Sequence, residues 1–200
     1  GLHDNKESPK NVASERVRLE EAKRAIEAMV TSTPDFKKFG KNIDIELVPE
    51  GLRIDLVEAK ESLFFDSGSA KVKPATTNLL KQIAVELKKL PNKVILEGHT
   101  DSRPLGRTDG YTNWELSADR ANSARNVFES AGMSESQIAQ VRGYAATVLR
   151  DPQNPTHFSN RRVSIVVVTS DALKSQQIGG SGENKLPIVK SKVMSVGSGR

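Results

Sequence analysis

Arg120 is the residue most in need of a chemical explanation. Leu116, Arg120, Ala124, Val127 and Ala131 recur at steps of four, four, three and four, which places them on one stripe of a helix. The stripe is apolar apart from the guanidinium. A buried guanidinium needs a carboxylate or an anionic ligand to offset its lost hydration. The apolar run Val94-Ile95-Leu96 leads into Gly98-His99-Thr100-Asp101, and chain connectivity puts this strand end near the start of the helix. Asp101 is therefore the natural partner. On these residues alone two readings stay open: a structural ion pair that closes a strand–loop–helix unit, or a site in which both charges meet a ligand.

Other chemistries fare worse. His99, Asp101 and Ser117 can be drawn as a hydrolase triad, but no GxSxG elbow or other nucleophile signature accompanies them. The three histidines, His3, His99 and His157, show no i,i+4 pairing, and the chain has no cysteine. A metal site is not expected, and thiolate chemistry and disulfides are excluded. Neither enzymatic activity nor a cofactor is expected. Trp114 is read as a core or rim anchor, and Asp119 as a solvated charge beside Arg120.

The elements around these residues follow from periodicity. Leu19, Ala22, Ile26, Met29 and Val30 mark an amphipathic helix whose apolar face wants a partner. Thr33-Pro34-Asp35 with Gly40 predicts a short helix over 34–39. From Ile43 the period becomes two: Ile43, Ile45 and Leu47, then Leu52, Ile54 and Leu56, joined by Val48-Pro49-Glu50-Gly51 as a hairpin. Residues 62–66 are expected to form a short strand or an extended entry, and Pro74 to Leu90 a helix with Leu79, Leu80, Ile83, Leu87 and Leu90 inward. A helix from Asn113 to Ala131 stops at Gly132. Ser134 and Gln137 suggest a capping box, Val141 to Ala145 a strand, and Arg162 to Val168 the most strand-like run.

The fold class expected is α/β: a two-layer sandwich with a βαβαβ core, a mixed sheet with helices on one face, and an N-terminal amphipathic helix before it. Residues 1–41 read as a helical linker or adaptor, 42–170 as the domain, and 171–200 as a disordered tail.

Charge narrows the function classes. The net charge is +5, yet residues 42–170 hold 16 Lys/Arg against 16 Asp/Glu, so the excess lies in the flanks. The nine aromatic residues are not interleaved with a basic run, which argues against nucleic acid. No stretch approaches the length of a membrane span, and the first residues lack a signal-peptide core. If the protein works outside the cytoplasm, its targeting segment is expected upstream of Gly1.

Three blocks carry a resemblance. Gly98-His99-Thr100-Asp101, then Asn113-Trp114-Glu115-Leu116-Ser117-Ala118-Asp119-Arg120-Ala121, then Asn160-Arg161-Arg162-Val163 resemble, in order, the OmpA-like peptidoglycan-binding family, over about residues 43–169. Pro104 stands where the commoner pattern has glycine. With Tyr111-x-Asn113-Trp114, this variant looks like the MotB-type anchors of the flagellar motor stator. The resemblance implies non-covalent binding of the diaminopimelate-containing peptide stem of peptidoglycan, in the periplasm. It further implies a parent chain anchored in the inner membrane beside a MotA-like partner, and a homodimer, for which the stripe on the first helix offers a local basis. An envelope anchor of the Pal or OmpA kind is the alternative. The ligand-binding residues implied are Asp101 and Arg120, with Thr100, Asn113, Leu116, Ser117, Asn160, Arg161 and Asp66 around them.

Overall fold

The hairpin expected from Ile43 forms as β1 (Ile43–Val48) and β2 (Gly51–Val57), paired antiparallel from Ile43 opposite Leu56 to Val48 opposite Gly51. The computed structural model describes residues 9–178. After the hairpin come α2 (Pro74–Leu87), β3 (Lys93–His99), α3 (Asn113–Ser130), β4 (Ile138–Gly143), β5 (Arg162–Val168) and α4 (Ser170–Ile178), with α1 (Pro9–Ser32) at the start. The five strands lie in the order β1-β2-β5-β3-β4. All neighbours are antiparallel except β3 and β4, which are parallel because α3 crosses between them.

Alternation along the strands sorts the residues. Leu52, Ile54, Leu56, Val94, Leu96, Val163, Ile165 and Val167 point to the face covered by α1, α2 and α3. Leu79, Leu80, Ile83 and Leu87 of α2 are fully buried there, as expected from their spacing. The opposite face has a smaller apolar patch, Ile95, Val166 and Val168, against which α4 lays Leu173.

The structure differs from the sequence expectation in several places; α2 stops at Leu87, and the strand expected from Val141 to Ala145 runs from Ile138 to Gly143. Residues 62–66 make one isolated bridge, Phe65 to Val72, and no sheet strand. The amides of Leu63, Phe64 and Phe65 donate to the Glu58 carboxylate instead, which leaves no ladder to form. Residues 170–178 are helical, so a disordered tail does not begin at Asp171; residues 179–200 lie outside the described residues. Finally, Ser134 makes no side-chain cap, and Gln137 Nε2 donates to the carbonyls of Leu87, Leu90 and Asn92.

The first helix is part of the domain and not a free adaptor. Leu19, Ile26 and Val30 of α1 join the same apolar core as α2 and the sheet. Glu15 is buried and accepts from Asn92 Nδ2 at 2.7 Å and from the Ser170 amide and hydroxyl, both at 3.1 Å. Helix α1 is thereby tied to the loop before β3 and to the start of α4. The stripe proposed as a dimer contact is thus buried on the protein's own domain, which removes that local basis for pairing. Among the described residues, no helix is long and apolar enough to cross a membrane.

Because Ile26 is fully buried, Ile26→Ala is expected to cost about 2–4 kcal/mol in urea unfolding. An unchanged midpoint would mean that α1 only tethers the domain.

Candidate functional site

Two glycines set the geometry. Gly98 and Gly143 are register partners in β3 and β4, and α3 rests on both. A Cβ on Gly98 would meet the Ser117 carbonyl oxygen at 1.9 Å, and one on Gly143 would meet the Ala118 amide at 2.7 Å. At this close approach Ser117 Oγ donates to the Trp114 carbonyl and accepts from the Ala145 amide, each at 2.9 Å. The start of α3 is secured by a capping box that the sequence reading overlooked. Thr112 Oγ1 accepts from the Trp114 amide, and Glu115 Oε2 accepts from the Thr112 amide. These side chains satisfy donors at the start of α3 from within the fold.

Arg120 is 4% exposed and Asp101 5%, and they do not pair with each other. Arg120 Nε donates to the Ser69 carbonyl at 2.9 Å and Nη2 to the Asp66 carbonyl at 3.5 Å. Its guanidinium lies 5.1 Å from the centre of the Phe65 ring. Among the described residues, no carboxylate is within ion-pair distance of it. Burial accordingly pushes Arg120 below its ordinary pKa, opposed most strongly by the charge of Glu58. Asp101 is bound by other cations. Arg103 donates through its amide at 2.9 Å and through Nη2 at 2.8 Å, and Arg161 Nε lies 3.6 Å from Oδ2.

The structure brings the remaining expected residues together but gives several of them internal duties. Asn113 Nδ2 donates to the carbonyls of Asp101 and Arg103, at 3.2 and 2.9 Å, and so braces the loop after β3. Asn160 is fully buried, accepts from the Asp151 amide at 2.7 Å and donates to the Asn154 carbonyl at 2.9 Å. Leu116 is buried on α3, and Thr100 keeps a buried hydroxyl with no hydrogen-bond partner among the described residues. Asp66 contributes its carbonyl to Arg120, while its carboxylate is half exposed, 3.9 Å from Lys71 Nζ. Trp114 is a rim residue at 55% exposure. Asp119 is not merely solvated, since it accepts from the Tyr111 hydroxyl at 2.7 Å.

Behind Asp101, on the sheet face away from α1–α3, lies a charged cluster. Glu97 accepts from Arg53 Nη1 and Arg142 Nη1, both at 3.1 Å, and sits 3.9 Å from His99 Nε2. Burial alone would raise the Glu97 pKa, but His99, Arg53 and Arg142 overturn that and pull it down to about 2. His99 stacks on Tyr144 with ring centres 4.9 Å apart, and among the described residues neither of its ring nitrogens has a hydrogen-bond partner. Burial pushes the His99 pKa down; the nearby Glu97 carboxylate opposes this and Arg162 adds to it.

With this geometry in hand, the comparisons are decisive. A profile of the OmpA family matches residues 64–165. The chain belongs to the OmpA family. Motility protein B of Escherichia coli strain K12 is 36% identical over 159 residues, 79% of this chain and 52% of that protein. LafU, a truncated protein of the same strain provisionally named for flagellar export/assembly, is 40% identical over 152 residues, 74% of this chain and 72% of its own. In structure, the periplasmic domain of Helicobacter pylori MotB superposes with a TM-score of 0.57 at 25% identity, covering 71% of this chain and 90% of that domain. The chain spans about half the length of the motility proteins it matches. The family match takes in Asp101, Arg120 and Asn160–Arg161; α1 and α4 fall outside it.

Glu58, Ser69 and Arg103 are site residues that the sequence reading missed. Glu58 binds three successive amides and is the main charge opposing the desolvation of Arg120. Its only sequence signal is a carboxylate just past the last alternating residue of β2. Ser69 acts through its backbone, which leaves no signal in residue type. Arg103, two residues from Asp101, was legible as a nearby cation.

The acid response follows from the charged cluster. His99 has a folded pKa below its ordinary 6.5, so the unfolded chain binds the proton first and stability is lost as pH falls below about 6.5. Glu97, lowered from 4.5 to about 2, adds a second loss as pH falls from about 4.5 towards 2. His99→Phe keeps a ring against Tyr144 and is expected to flatten the decline in urea midpoint between pH 7 and 5, and to shrink the lower limb, since His99 is among the groups that hold the Glu97 pKa down. An unchanged slope in that window would show that His99 does not drive it.

Proposed function

We propose that this domain binds peptidoglycan non-covalently and anchors a flagellar motor stator unit to the cell wall from the periplasmic side. The buried Arg120 guanidinium carries the reading. It has no ion-pair partner among the described residues, while the Asp101 carboxylate sits in the same site. Diaminopimelate in the peptide stem presents a carboxylate and an ammonium on one carbon. Arg120 takes the carboxylate in a bidentate fork, and Asp101 takes the ammonium in place of Arg103. Charge-assisted hydrogen bonds of this kind are about twice as strong as neutral ones. The Phe65 ring and the Asp66 and Ser69 carbonyls hold the guanidinium in place before ligand arrives, so little ordering cost falls on binding.

A binding role also accounts for Ser117 and His99 better than hydrolysis does. The Ser117 hydroxyl is fully buried and both accepts and donates within the fold. His99 faces Glu97 and Tyr144 on the other side of the sheet. In the full-length setting we assign the domain a parent chain held in the inner membrane, a MotA-like membrane partner and a paired state. The match to motility protein B and the likeness to a periplasmic MotB domain support the first two; the paired state rests on the family resemblance alone.

Asp101→Asn and Arg120→Lys are each expected to weaken capture by purified sacculi about thirtyfold or more, the equivalent of losing about 2 kcal/mol from a buried charge pair. Arg120→Lys keeps the charge and loses the fork, and thermal melting should stay near that of the parent. Undiminished capture by both variants would remove the site, and release of muropeptides from the sacculi would defeat the non-enzymatic reading.

A further inference from the structure

Next to Asp101 lies a second pocket, of about 320 Å³, that the diaminopimelate clamp leaves unused. Lys60, Arg103 and Arg161 line it, together with Asn154, His157 and Phe158. None of the residues lining it is acidic. Asp151, on the same loop, accepts from the amide and Nδ2 of Asn154.

The three cations differ in how firmly they are held. Arg161 is fixed: Nη2 donates to the Ala59 carbonyl at 2.9 Å, and its own carbonyl accepts from the Glu58 amide at 2.9 Å. Its Nε is buried without a hydrogen bond. Arg103 is 56% exposed at its side chain and touches Asp101 alone among carboxylates of the described residues. Lys60 is exposed. In the free protein one carboxylate, Asp101, serves both guanidiniums.

The charge balance changes when an ammonium binds Asp101. Arg103 then loses its acceptor, and the pocket holds three cations with no carboxylate among its lining residues. Like charges gathered around one cavity are relieved by an anion, and guanidinium groups favour a planar carboxylate. We propose that the Lys60–Arg103–Arg161 pocket is a second subsite, which takes a further carboxylate of the same peptide whose diaminopimelate end occupies Asp101 and Arg120. This rests on the peptidoglycan reading above and extends it from one residue of the stem to two. Two carboxylates have this chemistry: the terminal one of the stem and the α-carboxylate of its D-glutamate.

The test uses the whole chain and three soluble tetrapeptides, L-Ala-γ-D-Glu-diaminopimelate-D-Ala, its terminal amide, and the form amidated at D-glutamate, titrated by calorimetry. The parent protein is expected to bind at least one amidated form about tenfold more weakly than the free acid, in line with loss of a charge-assisted hydrogen bond. The form that weakens identifies the carboxylate. In Lys60→Ala and in Arg103→Ala that ratio should fall towards one, whatever removing Arg103 does to absolute affinity through Asp101. Equal affinity of the parent for all three peptides overturns the subsite, as does a ratio that persists in both variants. Absence of binding to any peptide, together with failed sacculus capture, sinks the peptidoglycan reading itself; capture that depends on Asp101 with no carboxylate preference sinks only the subsite.

Discussion

The contact between α3 and the glycine pair of β3 and β4 governs the site. Any side chain at Gly98 would drive into the Ser117 carbonyl, so the helix can rest this low only because both partners lack a Cβ. Ser117 is then close enough to bind the Ala145 amide, and Asn113 close enough to bind the carbonyls of Asp101 and Arg103. One turn further along α3, Arg120 meets the Asp66–Ser69 loop. Raising the helix by the thickness of a methyl group would loosen each of these contacts together. Several residues that look like ligand contacts from their types alone are therefore framework: they fix where Asp101 and Arg120 stand.

The two central charges are solved by opposite means. Asp101 is an anion among cations and exists in the free protein as part of a pair. Arg120 is held by carbonyl dipoles, a ring face and the more distant field of Glu58. Dipoles orient a guanidinium without neutralising it, so burial still weighs against its charge. An incoming carboxylate thus meets a positioned and uncompensated partner, whereas an incoming ammonium must displace Arg103 from Asp101. Since the Arg103 side chain is already more than half exposed, it regains its hydration on release, which softens the competition. The asymmetry makes the carboxylate of a zwitterion the stronger recognition element and its ammonium the exchangeable one.

How much of this was legible depended on whether a residue acts through its side-chain pattern or its backbone. The stripe of α3 exposed Arg120, and the end of β3 exposed Asp101, because both periods were clean. The alternation in β1 and β2 and the β-branched run of β5 marked their edges to within a residue or two. Arg120's true partners were invisible, since carbonyl oxygens at Asp66 and Ser69 are common to every residue type. Of the two readings open for 62–66, a short strand or an extended entry, the strand fails for a related reason: Glu58 takes the amides that a ladder would have used. The α3 cap was readable as Thr112-x-x-Glu115 but lay inside a turn-rich segment, where such pairs are easily passed over.

Helix α1 shows what amphipathicity does and does not say. The stripe of Leu19, Ala22, Ile26 and Val30 required an apolar partner, and a second copy of the chain would have satisfied the pattern equally well. The choice is made by residues off the stripe. Glu15 is a carboxylate near the start of the helix, and its three donors come from the loop before β3 and from Ser170. A buried carboxylate is tolerable only where such donors converge, so Glu15 selects this one docking position among the many that the apolar stripe allows. The same carboxylate joins α1 to α4, the two helices that lie outside the family match. The core shared with the sheet then extends continuously from α1 to β3, the strand that leads into Asp101.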